Sequence, residues 1–394
     1  MRNDRRTNIL ITGIGLVSTF GNSLNEFWAG LMRQENIPRH DSLLGKSGSE
    51  NALGIKADLS IDNNKPKDRI LEMGKKAVQS AIKDWGGCLS DYKRVCLVVG
   101  SGLGFSDCFL SQDDLSDDEE FLSTLGENLA GFVEGECKNI YIANACCAGA
   151  QAISYGMDLL KLNHYDLVIA GGVDILSNIA YSGFLRLNSI DFKGCRPFDR
   201  DRKGIATGEG AAFFVLEKQG QIFDEDRKEY CELAGSGITN DAYHIVQINS
   251  DGEQILRAMQ EALEDSELKK EDIDLVVAHG TGTLQNDKVE AKIIAKFFEK
   301  NLKNMHVTAP KGAIGHTGGA SGVFGLLTAV GSIYYGSIPP ISNLKNVDKE
   351  FEIPLVVENE VQCRVFAAMV NTFAFGGTNV ILICKKLTGS DNYE

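Results

Sequence analysis

The chain has 394 residues, 43% of them hydrophobic and 24% charged, enough for one very large core or two fused ones. No segment strings together the roughly 18 apolar residues of a membrane span, and the start MRNDRRTNILITG lacks the apolar region of a signal peptide, so a soluble, cytoplasmic chain is expected. Its 54 acidic against 40 basic residues give a net charge of −14, which excludes nucleic acid as a partner because a phosphate backbone calls for an excess of Lys and Arg.

In chain order, short β-rich apolar runs stand at 8–12 (NILIT), 96–99 (CLVV), 139–143 (NIYIA), 166–170 (DLVIA) and 212–216 (AFFVL), with helical patterns over 70–85 and 148–162. The rhythm then repeats. Strands are expected over 275–280, 306–311, 367–373 and 379–386, and helices over 253–265, 288–300 and 321–335. This alternation predicts an α/β fold of two similar halves. The charged stretch 217–230 (EKQGQIFDEDRKEY) is the expected join, placed near 228, so the halves are 1–228 and 229–394. The acidic run 113–120 (DDLSDDEE) reads as solvated, and no metal site is expected from it.

The ten cysteines include no CxxC pair, which argues against a zinc ribbon, an iron–sulfur run or a disulfide framework, and most read as small buried hydrophobes. The 42 glycines sit in clusters. Neither GSGLG at 100–104 nor Gly13-Ile14-Gly15 completes a dinucleotide fingerprint, and APKGAIGHTGG lacks the order of a phosphate loop. These glycines are therefore read as places where strands turn sharply or backbones approach closely.

IANACCAGAQ at 142–151 puts Cys146 between a strand and a small-residue helical run, where unpaired N–H groups converge, a setting that lowers a thiol pKa and can hold an oxyanion. The neighbouring Cys147 reads as structural. AHGTGT at 278–283 places His279 in a Gly- and Thr-rich turn, and His316 follows Lys311 by five residues in another glycine-lined turn. One helix-start cysteine with two such histidines forms a candidate catalytic set. His40, His164, His244 and His306 have no such setting.

The motifs NACCAG, RPFDRDRKGIATGEGAA (196–212), AHGTGTLQND (278–287), KGAIGHTGGASG (311–322) and NTFAFGGTN (371–379) together resemble those of elongating β-ketoacyl-ACP synthases, the condensing enzymes of fatty-acid and type II polyketide synthesis. Their order and spacing match over nearly the whole chain. The resemblance implies the thiolase fold, two similar α/β halves in five αβαβα layers, as a homodimer or as a heterodimer with a related subunit. It implies Cys146 as the acyl-accepting nucleophile, His279 and His316 as the pair that assists malonyl decarboxylation, Lys311 as the lysine that organises the second histidine, and Phe375 as the gate. The backbone N–H groups of Cys146 and Phe375 would form the oxyanion hole, while Asp287 and Glu290 fall at the family's acidic positions. Malonyl-ACP and acyl-ACP are the implied substrates, with no organic cofactor, because the phosphopantetheine arm arrives on the acyl carrier protein. Lys65, Lys67 and Arg69 match the carrier-docking region, and Arg196 opens the entrance motif.

The chain departs from the family pattern at Asn144 and Cys147, which flank the nucleophile in place of hydroxyl residues. It departs again at Ala374 for Gly before the gate, and at Gly325, where a Glu near the catalytic lysine is usual and the charge partner of Lys311 is left unassigned. Two other readings compete with the elongating enzyme. A chain-length-factor-like subunit is opposed by the retained Cys146, and a cysteine acyl hydrolase would need an acyl-enzyme open to water. The PFDRDRKG turn and the HGTGT form lean toward polyketide or polyene enzymes.

Overall fold

The computed structural model describes residues 7–33, 38–49, 52–59, 65–110, 124–221 and 227–387. The acidic run 113–120 lies outside them. Ten strands carry the architecture: β1 (Ile9–Val17), β2 (Val95–Gly100), β3 (Cys137–Ile142), β4 (Leu167–Asp174), β5 (Gly210–Lys218), β6 (Cys231–Asn240), β7 (Leu275–Val277), β8 (His306–Thr308), β9 (Ala367–Phe373) and β10 (Thr378–Lys385). Their order is β8-β7-β9-β10-β6-β1-β5-β4-β2-β3. Numbered within its own half, each set of five strands follows the same order, 3-2-4-5-1, and the sets join where β1 pairs antiparallel with β6 (Ile9 opposite Leu233).

The principal helices are α1 (Leu24–Arg33), α2 (Pro66–Trp85), α3 (Ala148–Lys161), α4 (Asn178–Arg186), α5 (Glu253–Ser266), α6 (Leu284–Phe298) and α7 (Ser321–Tyr335). Period-two alternation along the strands assigns side chains to layers. In β5, Ala211, Phe213 and Val215 face a cluster with α2, whereas Ala212, Phe214 and Leu216 face α3 and α7. In β10, Ile381 and Ile383 pack with α5 and α6, while Val380, Leu382 and Cys384 turn to the same central helices. The result is five layers, with α3 and α7 enclosed between two sheet halves and outer helices on either side. Enclosure explains why α7 is apolar all round and buried from Ser321 to Ile333.

The strand β6 is absent from the apolar runs expected above because Gly235 and Gly237 dilute it. Those glycines are required by packing: a Cβ at Gly237 would stand 2.0 Å from the Ala258 carbonyl of α5. No helix of the described residues is long and apolar enough to cross a membrane.

Candidate active site

The chain leaves β3, makes a short turn at Ala145–Cys147 and runs directly into α3. Ala145 takes φ 42°, a left-handed conformation that costs a non-glycine residue on the order of 1–3 kcal/mol and lifts Cys146 to the head of the helix. Cys146 sits where two chambers meet. One, of about 350 Å³, is mainly apolar and is lined by Leu103, Ile175, Ala180, Phe184 and Leu187. The other, of about 370 Å³, carries His279, Thr281, Thr283 and Ser189. Both chambers share Cys146, Phe184, His316 and Phe375.

The backbone N–H groups of Cys146 and Phe375 act to lower the Cys146 thiol pKa. The thiol pKa is nonetheless not lowered. Burial pushes it up to about 11, outweighing the opposite pull of Lys311 and of the two N–H groups, so the expectation drawn from the helix start fails through desolvation. Cys147 points away, its sulfur directed at the carbonyls of Thr372 (3.3 Å) and Thr378 (3.4 Å). Asn144 donates to Gln151 (2.6 Å) and accepts from the Thr378 hydroxyl (3.3 Å), which ties the nucleophile turn to the second half.

His279 lies in the loop after β7, and the helix α6 begins at Leu284 rather than at 288. That start brings Asp287 and Glu290 onto its buried face. Glu290 accepts from the backbone N–H of His279 (2.8 Å) and of Gly280 (2.9 Å), and Asp287 accepts from Phe198 (2.8 Å) and Gly282 (3.2 Å). Asp287 thus pins the PFDRDRKG turn, in which Phe198 has φ 61°.

Lys311 opens the single helical turn Lys311–Ile314 and is buried. Its Nζ donates to the His279 backbone oxygen at 2.6 Å and stands 3.2 Å from His279 Nδ1. This corrects the expectation that Lys311 organises the second histidine: its contacts are with the first, and it reaches His316 only through its charge. Position 325 cannot supply the missing counter-charge, since a Cβ there would meet Val370 and Val277 in the core. The nearby acidic group that acts on Lys311 is Glu290. Burial lowers the Lys311 pKa while Glu290 works against that shift, and burial raises Glu290 itself to about 7.

Both histidines are held neutral. Burial, with Lys311 second, drives His279 well below its ordinary value and His316 down to about 3. His316 Nδ1 accepts from Gly318 N–H (3.1 Å), and the Ser321 hydroxyl lies 3.3 Å away. His279 Nδ1 faces Lys311 Nζ and the N–H of Phe373 (3.4 Å). With Nδ1 engaged as an acceptor in each ring, the proton is assigned to Nε2. The ring centroids are 6.0 Å apart at 87°.

The turn between β9 and β10 carries Phe375, which is 38% exposed, with its ring centroid 5.6 Å from that of Phe184. Gly376 N–H donates to the Ile245 carbonyl (2.9 Å), tying this turn to a second loop. Ala374 has no positive φ, so its Cβ is accommodated without strain.

The proposed docking cations divide. Lys65 is exposed at the start of α2, and Lys67 lies 5.9 Å from the centroid of the Phe105 ring. Arg69, in contrast, is fully buried in an ion pair with Glu209, and Arg196 pairs with Asp191 at 2.5 Å with its side chain only 18% exposed. Neither arginine is presented to a partner: the helical register turns Arg69 inward, and the entrance turn consumes Arg196. Asp174, at the end of β4, escaped the sequence reading although it lines the apolar chamber. Among the described residues no group of three or more His, Cys, Asp or Glu side chains is placed to hold a metal ion.

The five layers and a helix-start cysteine facing two neutral imidazoles define a condensing enzyme of the thiolase fold. Residues 6–221 match the family model for the N-terminal domain of β-ketoacyl synthases, and residues 230–345 match that for the C-terminal domain. The chain therefore belongs to the β-ketoacyl synthase family of acyltransferases. It is 29% identical over 415 residues to 3-oxoacyl-[acyl-carrier-protein] synthase 2 of Synechocystis sp., covering 98% of this chain and 100% of that protein. It is 34% identical over 249 residues to nodulation protein E of Rhizobium leguminosarum bv. trifolii, covering 62% and 61% of the two chains. Among solved structures, the ishigamide ketosynthase/chain length factor aligns with a TM-score of 0.89 at 26% identity, and a β-ketoacyl synthase from Burkholderia phymatum with 0.86 at 26%, each covering 97% of this chain and 100% of the other.

Proposed function

We propose that this chain elongates an acyl chain by decarboxylative Claisen condensation with malonyl-ACP, giving β-ketoacyl-ACP in fatty-acid or polyketide synthesis. The carrying observation is the placement of Cys146 between an apolar chamber, suited to an acyl chain, and a chamber with two Nε2–H donors. In the first half-reaction Cys146 Sγ attacks the acyl-carrier thioester and the carrier thiol leaves. In the second, the malonyl C–C bond breaks, CO₂ departs, and its electron pair forms an enolate whose oxygen accepts from His279 and His316. The enolate carbon then attacks the acyl carbonyl. The resulting oxyanion faces the N–H groups of Cys146 and Phe375, and collapse expels the Cys146 thiolate, which takes up a proton.

Neutral imidazoles suit this task because a donor that stays uncharged beside Lys311 can still hydrogen-bond the forming enolate. Phe375 acts as the gate between the chambers through its contact with Phe184. The carrier's phosphopantetheine arm enters the chamber that carries His279, and the route calls for no organic cofactor. Lys65 and Lys67 are the docking cations this reading retains.

We also read the chain as two halves dividing near residue 228, because one strand order repeats on either side. It pairs with a second copy or a related subunit, an arrangement favoured by the half-covered sheet edge of β3. Ten free cysteines fit the reducing cytoplasm. Incubation with acyl-ACP and malonyl-ACP should yield β-ketoacyl-ACP from the parent and none from Cys146→Ala; release of free fatty acid as the sole product would instead establish a hydrolase.

A further inference from the structure

The clusters GSGLG and HTGG, separated by more than two hundred residues, converge on one side chain. Asp174 is 2% exposed at the end of β4. Its Oδ1 accepts from the Ser101 hydroxyl (2.5 Å) and from Leu103 N–H (3.4 Å), and its Oδ2 accepts from Gly102 N–H (2.8 Å) and Gly319 N–H (2.5 Å). The glycines make this possible. A Cβ at Gly102, Gly318 or Gly319 would stand 3.0, 2.6 or 2.9 Å from Oδ2, and Gly318 also has φ 56°. Ser101 Oγ in turn accepts from Gly104 N–H at 2.9 Å.

Each turn held in this way borders the chemistry. Gly102 and Leu103 form a wall of the apolar chamber, and Gly318 N–H holds His316 Nδ1. The location carries a cost, since the Asp174 charge pushes the Cys146 thiol further up.

We propose that Asp174 is a positioning residue for the condensation step: it clamps the His316 turn to the wall of the acyl chamber, so that His316 Nε2 stays aimed at the malonyl enolate. This rests on the condensation reading above and assigns a task to the GSGLG cluster. Asp174→Asn keeps the shape but sets an amide N–H against backbone donors in either orientation. CO₂ release from a malonyl-pantetheine thioester should fall by about 10- to 100-fold, the scale of a small misplacement of a catalytic group. Iodoacetamide labelling of Cys146 should proceed at the parent rate or faster, because an opposing charge is gone. Loss of both in equal measure, or of neither, would overturn the proposal. If Asp174→Asn does not fold, Ser101→Ala decides: it should lower CO₂ release while sparing labelling, and unchanged release would refute the clamp. No CO₂ release from the parent would overturn the condensation reading itself and the role of Asp174 with it.

Discussion

The Lys311 ammonium touches His279 twice, at its backbone oxygen and beside Nδ1, and so fixes both the loop and the ring tautomer. Replacing Lys311 by Met removes the donor and also the positive charge that helps hold both imidazoles neutral. Decarboxylation should drop by about 10²- to 10⁴-fold, the range of one general acid–base contribution. Its acid limb should also move to higher pH, because His279 then accepts a proton more readily. A pH profile of CO₂ release with an unmoved acid limb would show that the charge is irrelevant.

Acylation separates the two adjacent cysteines. Cys146→Ala should abolish formation of the acyl-enzyme, and Cys147→Ala should leave it largely intact, since the Cys147 sulfur is turned to the carbonyls of Thr372 and Thr378. Mapping an acyl donor by peptide mass spectrometry checks this, and equal labelling of the two sulfurs would reverse the assignment.

His279→Ala and His316→Ala should each still allow Cys146 to be acylated but lose CO₂ release, because the enolate requires both donors. The stability profile is a second readout. His316 has a folded-state pKa of about 3 against an ordinary 6.5, so between these values the unfolded chain binds a proton that the folded chain refuses. Its contribution is present above pH 6.5 and is lost as pH falls toward 3. Acid-side denaturation of His316→Asn should therefore be less steep in that window than that of the parent, and identical slopes would contradict a buried neutral imidazole.

The docking proposal places the acidic carrier at Lys65 and Lys67, near the start of α2. Charge reversal at both lysines should raise KM for acyl-ACP, with salt weakening the parent's binding, and leave the reaction with a small acyl-pantetheine thioester unchanged. An unaltered KM for acyl-ACP would put the docking surface elsewhere.

What the sequence disclosed followed the physics of local pattern. Apolar runs located most of the main-sheet strands, and the helix at Ser321–Tyr335 was expected with the bounds it has. Burial was harder to read. Arg69 looks like one more cation in a basic cluster, yet the register of α2 turns it inward to Glu209, 140 residues away. The thiol of Cys146 follows the same logic, because a helix start can be seen in sequence and its desolvation cannot. The strand β6 was hidden by glycines that admit α5, and Asp174 by partners near residues 101 and 319. Glu290 stood at a recognised acidic position, but only the helix start at Leu284 shows that it is buried where it accepts from the His279 and Gly280 N–H groups.

The most direct measurement is the intact mass of the protein after incubation with acyl-ACP, followed by malonyl-ACP and analysis of the carrier-bound product. The condensation account predicts one stable acyl adduct on Cys146 that disappears on adding malonyl-ACP, with CO₂ and β-ketoacyl-ACP appearing together. Absence of any adduct, or its decay to free acid before malonyl-ACP is added, would contradict it.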